Sequence, residues 1–176
     1  MKKIMFNDKF LLTQAVLGGT KTMTRRVIKK EIPIGNGQET EKMLRYTVGE
    51  VVAIAQCYLD IKKPQFDKFG HDVAGNTNKM FVRADLMPHH IKITDVKVER
   101  LQDIADEDCI KEGVLDIIPA DDECMCEGYG YCTSDGGYFL FGTPREAYAS
   151  LINKICGKGT WERNQWVEAY VFEKVD

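Results

Sequence analysis

Ten consecutive residues, Lys21 to Lys30 (KTMTRRVIKK), gather Lys21, Arg25, Arg26, Lys29 and Lys30 around the hydroxyls of Thr22 and Thr24. They contain no acid, in a chain whose formal net charge is -3. Gly18 and Gly19 precede them, so the backbone can turn sharply there without a Cβ penalty. A glycine-hinged segment of cations and hydroxyls suits contact with a phosphate or an anionic intermediate. The plainer alternative is a solvated basic face.

Cysteines form the second group with chemical potential. Cys57, Cys109 and Cys156 fall in stretches that read as strand or helix, where a thiol acts as a small hydrophobe. Cys124, Cys126 and Cys132 cluster in a glycine-bearing stretch. Structural zinc sites usually place two to four residues between paired ligands, so a CxC pair is atypical and a fourth local ligand is missing. Free thiols are therefore the default, with structural zinc at Cys124, Cys126 and Cys132 as the alternative; no cofactor is expected. His89 and His90 would point to opposite sides of an extended chain, and His71 sits in a polar loop.

Several elements must position these groups. Residues 8–17 read as a helix, with Asn7 or Asp8 as cap, Phe10, Leu11, Ala15 and Val16 as the buried stripe, and Gly18 and Gly19 as the stop. The basic segment begins where that helix ends. Residues 31–47 read as a loop or loose hairpin. Val51 opens a β-branched run, VVAIAQCYL, and 80–83 (MFVR) suggests a short strand. In IKITDVKVERL the apolar parity switches between Ile93 and Val96, which predicts a bulge near Thr94. Residues 103–112 read as a short helix with acids in its first turn and Gly113 as its stop. A loop is expected over 119–142. Thr143-Pro144-Arg145-Glu146 is a capping box with proline at the first helical position. Ala147, Tyr148, Leu151, Ile152 and Ile155 follow at helical spacing. The final strand, QWVEAYVFE, is apolar on both parities and so belongs inside a sheet.

The chain is 176 residues long, 44% hydrophobic and 29% charged, as for one ordinary globular domain. Its slight acidity argues against non-specific coating of nucleic acid while permitting a local basic site. The opening MKKIMFNDKF has no sustained apolar run, and nothing approaches a membrane span. The expectation is a cytoplasmic protein with no membrane partner. The mixed pattern of strands and helices predicts an α+β fold, a small β-barrel or strongly bent sheet with flanking helices.

Gly19-Thr20-Lys21-Thr22-Met23-Thr24-Arg25-Arg26 resembles the GxKTxTxR signature of ASCH domains. Gly49-Glu50-Val51-Val52, the segment Asp95–Ile104 with Glu112-Gly113, and Asn164-Gln165-Trp166-Val167 resemble further family segments, the last in the phage-type branch. The resemblance implies a single PUA-like domain over 1–176, with the 119–142 loop as an insertion, that binds RNA or a modified nucleoside. It also implies that Lys21, Thr24 and Glu112 match the catalytic residues of a branch that hydrolyses the acetyl amide of N4-acetylcytidine; ribonuclease activity is attributed to another branch. The sequence departs from the phage-type pattern after Gly49-Glu50. There, Ala53–Tyr58 carries no charge where the branch has a tryptophan- and arginine-rich segment.

Three functions follow. The first is binding of RNA or a nucleotide, with Lys21, Arg25, Arg26 and Lys29 on phosphate and Tyr58 or Trp161 stacking on bases; Trp166 reads as core. The second is an amidohydrolase in which Thr24 is the nucleophile, Lys21 the base, Glu112 the acid and Arg26 the oxyanion partner. The third is a phage or mobile-element accessory protein that binds another protein through its cysteine loop. On a regular strand Lys21 and Thr24 would face opposite ways, so catalysis requires a turn or bulge between them.

Overall fold

The computed structural model describes residues 1–28, 44–117 and 127–176. Lys29, Cys124, Cys126 and most of the 31–47 stretch lie outside the described residues. The architecture is α+β. Strand β1 (Lys3–Ile4) leads to helix α1 (Leu12–Leu17), then to β2 (Met23–Val27) and β3 (Val51–Ile54). Next come β4 (His90–Arg100), α2 (Asp106–Lys111) and β5 (Leu115–Ile117). Strands β6 (Gly128–Cys132) and β7 (Tyr138–Phe141) precede α3 (Pro144–Cys156), α4 (Thr160–Arg163) and β8 (Trp166–Lys174).

Five strands form the main sheet in the order β1-β3-β4-β8-β2, and β5-β6-β7 form a second. Among the described residues only β1 and β3 run parallel in the main sheet. Strand β8 lies inside it, between β4 and β2, as its two-sided apolar pattern requires: Val167, Ala169, Tyr170 and Phe172 are all buried. The β4–β8 register shifts between Ile93 and Asp95, at the predicted bulge. The extra residue bends the strand, and Ile91 and Ile93 before it and Val96 after it still reach one core. Among the described residues β1 and β2 remain sheet edges, so the bent sheet is not a closed barrel.

Local departures from expectation have identifiable causes. Helix α1 begins only at Leu12, because Leu11 takes a left-handed conformation (φ 54) and Asp8 Oδ1 accepts from the Thr13 hydroxyl instead of capping. That shift buries Leu12 and leaves Leu11 exposed. MFVR forms no strand. Lys79–Phe81 is a 3-10 turn capped by Asn78, and only Val82 of the four is buried. The 119–142 stretch is not loop throughout, since β6 and β7 pair from Tyr129–Phe141 to Cys132–Tyr138. Its Tyr131 stacks on Phe139 and Phe141 and joins the core. Glycines at 128, 130, 136 and 137 disguised this hairpin in the sequence.

Helix α3 is as predicted. The Thr143 side chain accepts from the Glu146 N–H, and Ala147, Tyr148, Leu151 and Ile152 are buried. Thr143→Ala should cost about 1 kcal/mol and lower Tm by roughly 2–4 °C in a chain of this size. Thermal unfolding checks it; no shift would show that the cap contributes nothing.

Candidate active site

The C-terminal end of α1 hands the chain to the basic segment. Gly19 has φ 79 and the amides of Thr20 and Lys21 both donate to the Ala15 carbonyl. Thr22 donates its N–H to Lys111 O and accepts from Phe172 N, which ties this turn to the end of α2 and to β8. Only at Met23 does a regular strand begin. Lys21 therefore precedes the strand and escapes its period-two alternation. Its stem folds back, so that Nζ donates to its neighbour Met23 O at 2.7 Å.

The same ammonium donates to Glu112 O at 2.5 Å and to Glu112 Oε2 at 2.8 Å. All three of its protons are engaged, and the pair is almost sealed from water, with side-chain exposures of 2% and 5%. Burial pushes the Lys21 pKa down, while the Glu112 carboxylate pulls it back up. Glu112 ends α2, where an acid is electrostatically unfavourable. Two cations account for it there: Arg25 Nη1 reaches Oε1 at 3.3 Å from the other side. Gly113 follows with φ 103. A Cβ there would lie 2.9 Å from Leu12 Cδ2 and 3.6 Å from Lys21 Cδ, so a glycine lets α2 close on this ion pair.

Arg25, expected on phosphate, is turned inward. Its Nε and Nη2 donate to Glu99 Oε1 at 3.0 and 2.6 Å, and Nη2 also reaches Asp108 Oδ2 at 3.2 Å. Three carboxylates hold this buried guanidinium inside the protein. Lys21 likewise is a buried internal partner and not a surface cation.

Thr24 and Arg26 share the other parity of β2. Thr24 is buried, pairs with Tyr170 across the strands, and its hydroxyl makes no hydrogen bond among the described residues. Arg26 Nη2 donates to Met5 O at 2.6 Å, and its guanidinium lies 5.6 Å from the Phe6 ring centre, with Lys21 Nζ 5.9 Å from the same ring. Arg26 Nε is buried without a hydrogen-bond partner among the described residues. A pocket of about 90 Å3 joins these groups. That exceeds the ~10–15 Å3 one water needs by several-fold. Lys21, Thr24, Arg26 and Glu112 line it together with Phe6, Tyr148 and aliphatic side chains of α3. Lys21, Thr24 and Glu112 thus come to one place, although they are far apart in sequence or on opposed parities.

Neither expected stacking residue belongs to this pocket. Tyr58 is 4% exposed among Ala53, Ala55, Val82 and Met87, and its hydroxyl accepts from Arg83 N. Hydrophobic packing holds this ring in the interior. Trp161 lies edge-on to Tyr148 with the Arg145 guanidinium 5.1 Å from its own centre, and it does not line the pocket. Trp166 is half-buried beneath Arg100 rather than fully in the core. Phe6 and Tyr148 were missed by the sequence reading. The capping box and helical spacing placed Tyr148 on a buried face, but nothing local showed that its hydroxyl would be unpaired. Among the described residues no group of three or more His, Cys, Asp or Glu could hold a metal ion. Cys132 is a half-buried free thiol on β6.

No family model matches the chain, and no curated protein does. Solved structures overlay on it, two of them as follows. One is protein EF3133 from Enterococcus faecalis V583, of family DUF984, at TM-score 0.39 and 13% identity, over 94% of this chain and 67% of that one. The other is an ASCH domain from Lactobacillus crispatus JV V101, at TM-score 0.40 and 10% identity, over 96% and 75%. Likenesses this weak are similarities to those proteins and nothing further rests on them. No helix among the described residues is long and apolar enough to cross a membrane.

Proposed function

We propose that this chain is an ASCH-type protein that binds a nucleoside in the pocket built on Lys21–Arg26. The observation that carries the reading is the buried Lys21–Glu112 pair, 2.8 Å apart, lining one pocket with Thr24, whose hydroxyl makes no hydrogen bond among the described residues. An extended phosphate track is the weaker form of nucleic-acid binding here, because Lys21 and Arg25 are paired internally. A pocket with mostly apolar walls and a few polar groups suits a small planar ligand.

A second reading, hydrolysis of an acyl amide on such a nucleoside, draws on the same contact. Transfer of a proton from the Lys21 ammonium to Glu112 gives a neutral amine and a carboxylic acid, a form that burial favours. The amine takes the Thr24 proton as Oγ attacks the acyl carbon, and Glu112 returns its proton to the leaving nitrogen. Lysinium and carboxylate are restored, and water then cleaves the threonine ester. Arg26 stands beside the developing oxyanion.

The test is turnover of N4-acetylcytidine, read by chromatography, alongside equilibrium binding of that nucleoside. Binding with turnover supports both readings, and binding without turnover confines the amidohydrolase to some other amide. Failure to bind this or any other nucleoside removes the proposal, and RNA affinity that falls steeply with salt would then point to phosphate contacts. Where turnover occurs, the alkaline limb of the kcat/KM profile should fall below 10.5, lysine's ordinary value, because burial lowers Lys21. Deprotonation of the pair removes the proton that the leaving group needs. An activity still rising at pH 10.5 would exclude Lys21 from that role.

A further inference from the structure

Tyr148 projects from the buried face of α3 into a region where clusters of apolar side chains meet, and it is 2% exposed. Its hydroxyl is buried and has no hydrogen-bond partner among the described residues. The same holds for Arg26 Nε, on strand β2. Both residues line the pocket that holds Lys21, Thr24 and Glu112. Buried polar atoms are nearly always paired, because an unmade hydrogen bond leaves the full cost of desolvation. Two such atoms on residues lining one pocket are therefore a complementarity waiting for a ligand. Arg26 also forms no ion pair with an acid among the described residues, unlike Arg25 on the same strand.

The chemistry of the two groups restricts what can complete them. Arg26 Nε–H is a donor only. Burial and the nearby Glu112 carboxylate push the Tyr148 pKa well above its usual value, so its hydroxyl keeps its proton and can donate at any ordinary pH. Two donors in a mostly apolar recess ask for acceptors: carbonyl oxygens or unprotonated ring nitrogens.

We propose that Tyr148 and Arg26 form the recognition pair of this pocket, donating from Oη and Nε to two acceptor atoms of the bound base. The inference rests on the nucleoside reading above and adds its selectivity: bases offering an acceptor to Arg26 Nε and a polar atom to Tyr148 Oη enter, and those presenting N–H to Arg26 or C–H to either group are refused. A site built to satisfy buried donors discriminates strongly against ligands that leave them unpaired. Tyr148 is not required to take part in bond breaking.

Tyr148→Phe tests this with a readout in the free protein. Removing an unpartnered buried hydroxyl should leave the Tm of the ligand-free protein unchanged or slightly higher. The same variant should bind N4-acetylcytidine about tenfold more weakly. Arg26→Lys, which keeps the charge but lacks Nε, should weaken binding to a similar degree. A drop of several degrees in the ligand-free Tm of Tyr148→Phe would mean that the hydroxyl is satisfied internally, and would overturn the proposal. So would wild-type affinity in that variant, while leaving the nucleoside reading in place. If the wild type itself binds no nucleoside, both fall together.

Discussion

Glu112→Ala is expected to unfold the protein more readily than any other single change in the candidate site, by about 3–5 kcal/mol. At this chain length the corresponding drop in Tm is on the order of 10 °C. Glu112 is the shared counter-charge of two buried cations, Lys21 at 2.8 Å and Arg25 at 3.3 Å. Truncation leaves the Lys21 ammonium with carbonyls alone in a site that water barely reaches. Lys21→Met should cost less, because Glu112 then keeps Arg25 and methionine fills much of the vacated volume. The double variant Lys21→Met/Glu112→Leu should be less destabilised than the sum of the two singles, since neither charge is left alone. Arg25 retains Glu99 and Asp108 in that protein. Urea unfolding of the three variants measures the order directly. A cost below about 1 kcal/mol for Glu112→Ala, the range of a surface pair, would show that the contact is hydrated in solution.

The second large effect is on chemistry and not on folding. If the protein hydrolyses an acylated nucleoside, Thr24→Val should lower kcat by about a thousandfold or more, as loss of a nucleophile does. Stability should hardly change. The Thr24 hydroxyl makes no hydrogen bond among the described residues, and valine keeps the β-branched shape that suits strand β2. Thr24→Ser keeps an oxygen and should retain a measurable part of the rate. Single-turnover kinetics on N4-acetylcytidine separate loss of chemistry from loss of binding. A Thr24→Val protein that turns over at the wild-type rate would exclude this hydroxyl, and leave water activated by the Lys21–Glu112 pair as the attacking group.

Much of the framework could be read directly from residue order. The bulge at Thr94 followed from a parity switch in one strand, and the bend it makes is local. Helix α3 was set by Thr143, Pro144 and Glu146, which satisfy their own backbone within one turn. The interior place of β8 followed from apolar groups on both of its faces. Each of these signals acts over a few residues, so the chain alone carries it. The hairpin β6–β7 was hidden because glycines that permit pairing look the same as glycines that permit a loop.

The candidate site divides along the same line. Composition and spacing determined that Lys21–Arg26 is a cationic, hydroxyl-bearing segment hinged on glycine, and resemblance to a known signature brought Glu112 to notice. Which of those cations are available was a tertiary matter. Lys21 and Arg25 are turned inward by carboxylates 74 to 91 residues away, at Glu99, Asp108 and Glu112. Tyr58 and Trp161 were drawn into packing by side chains remote in sequence, and Tyr148 reached the pocket because α3 lies across it. Sequence fixes what a side chain can donate, accept or carry. Which partners it meets, and which polar atoms go unmet, depends on contacts across long loops that only the folded chain closes.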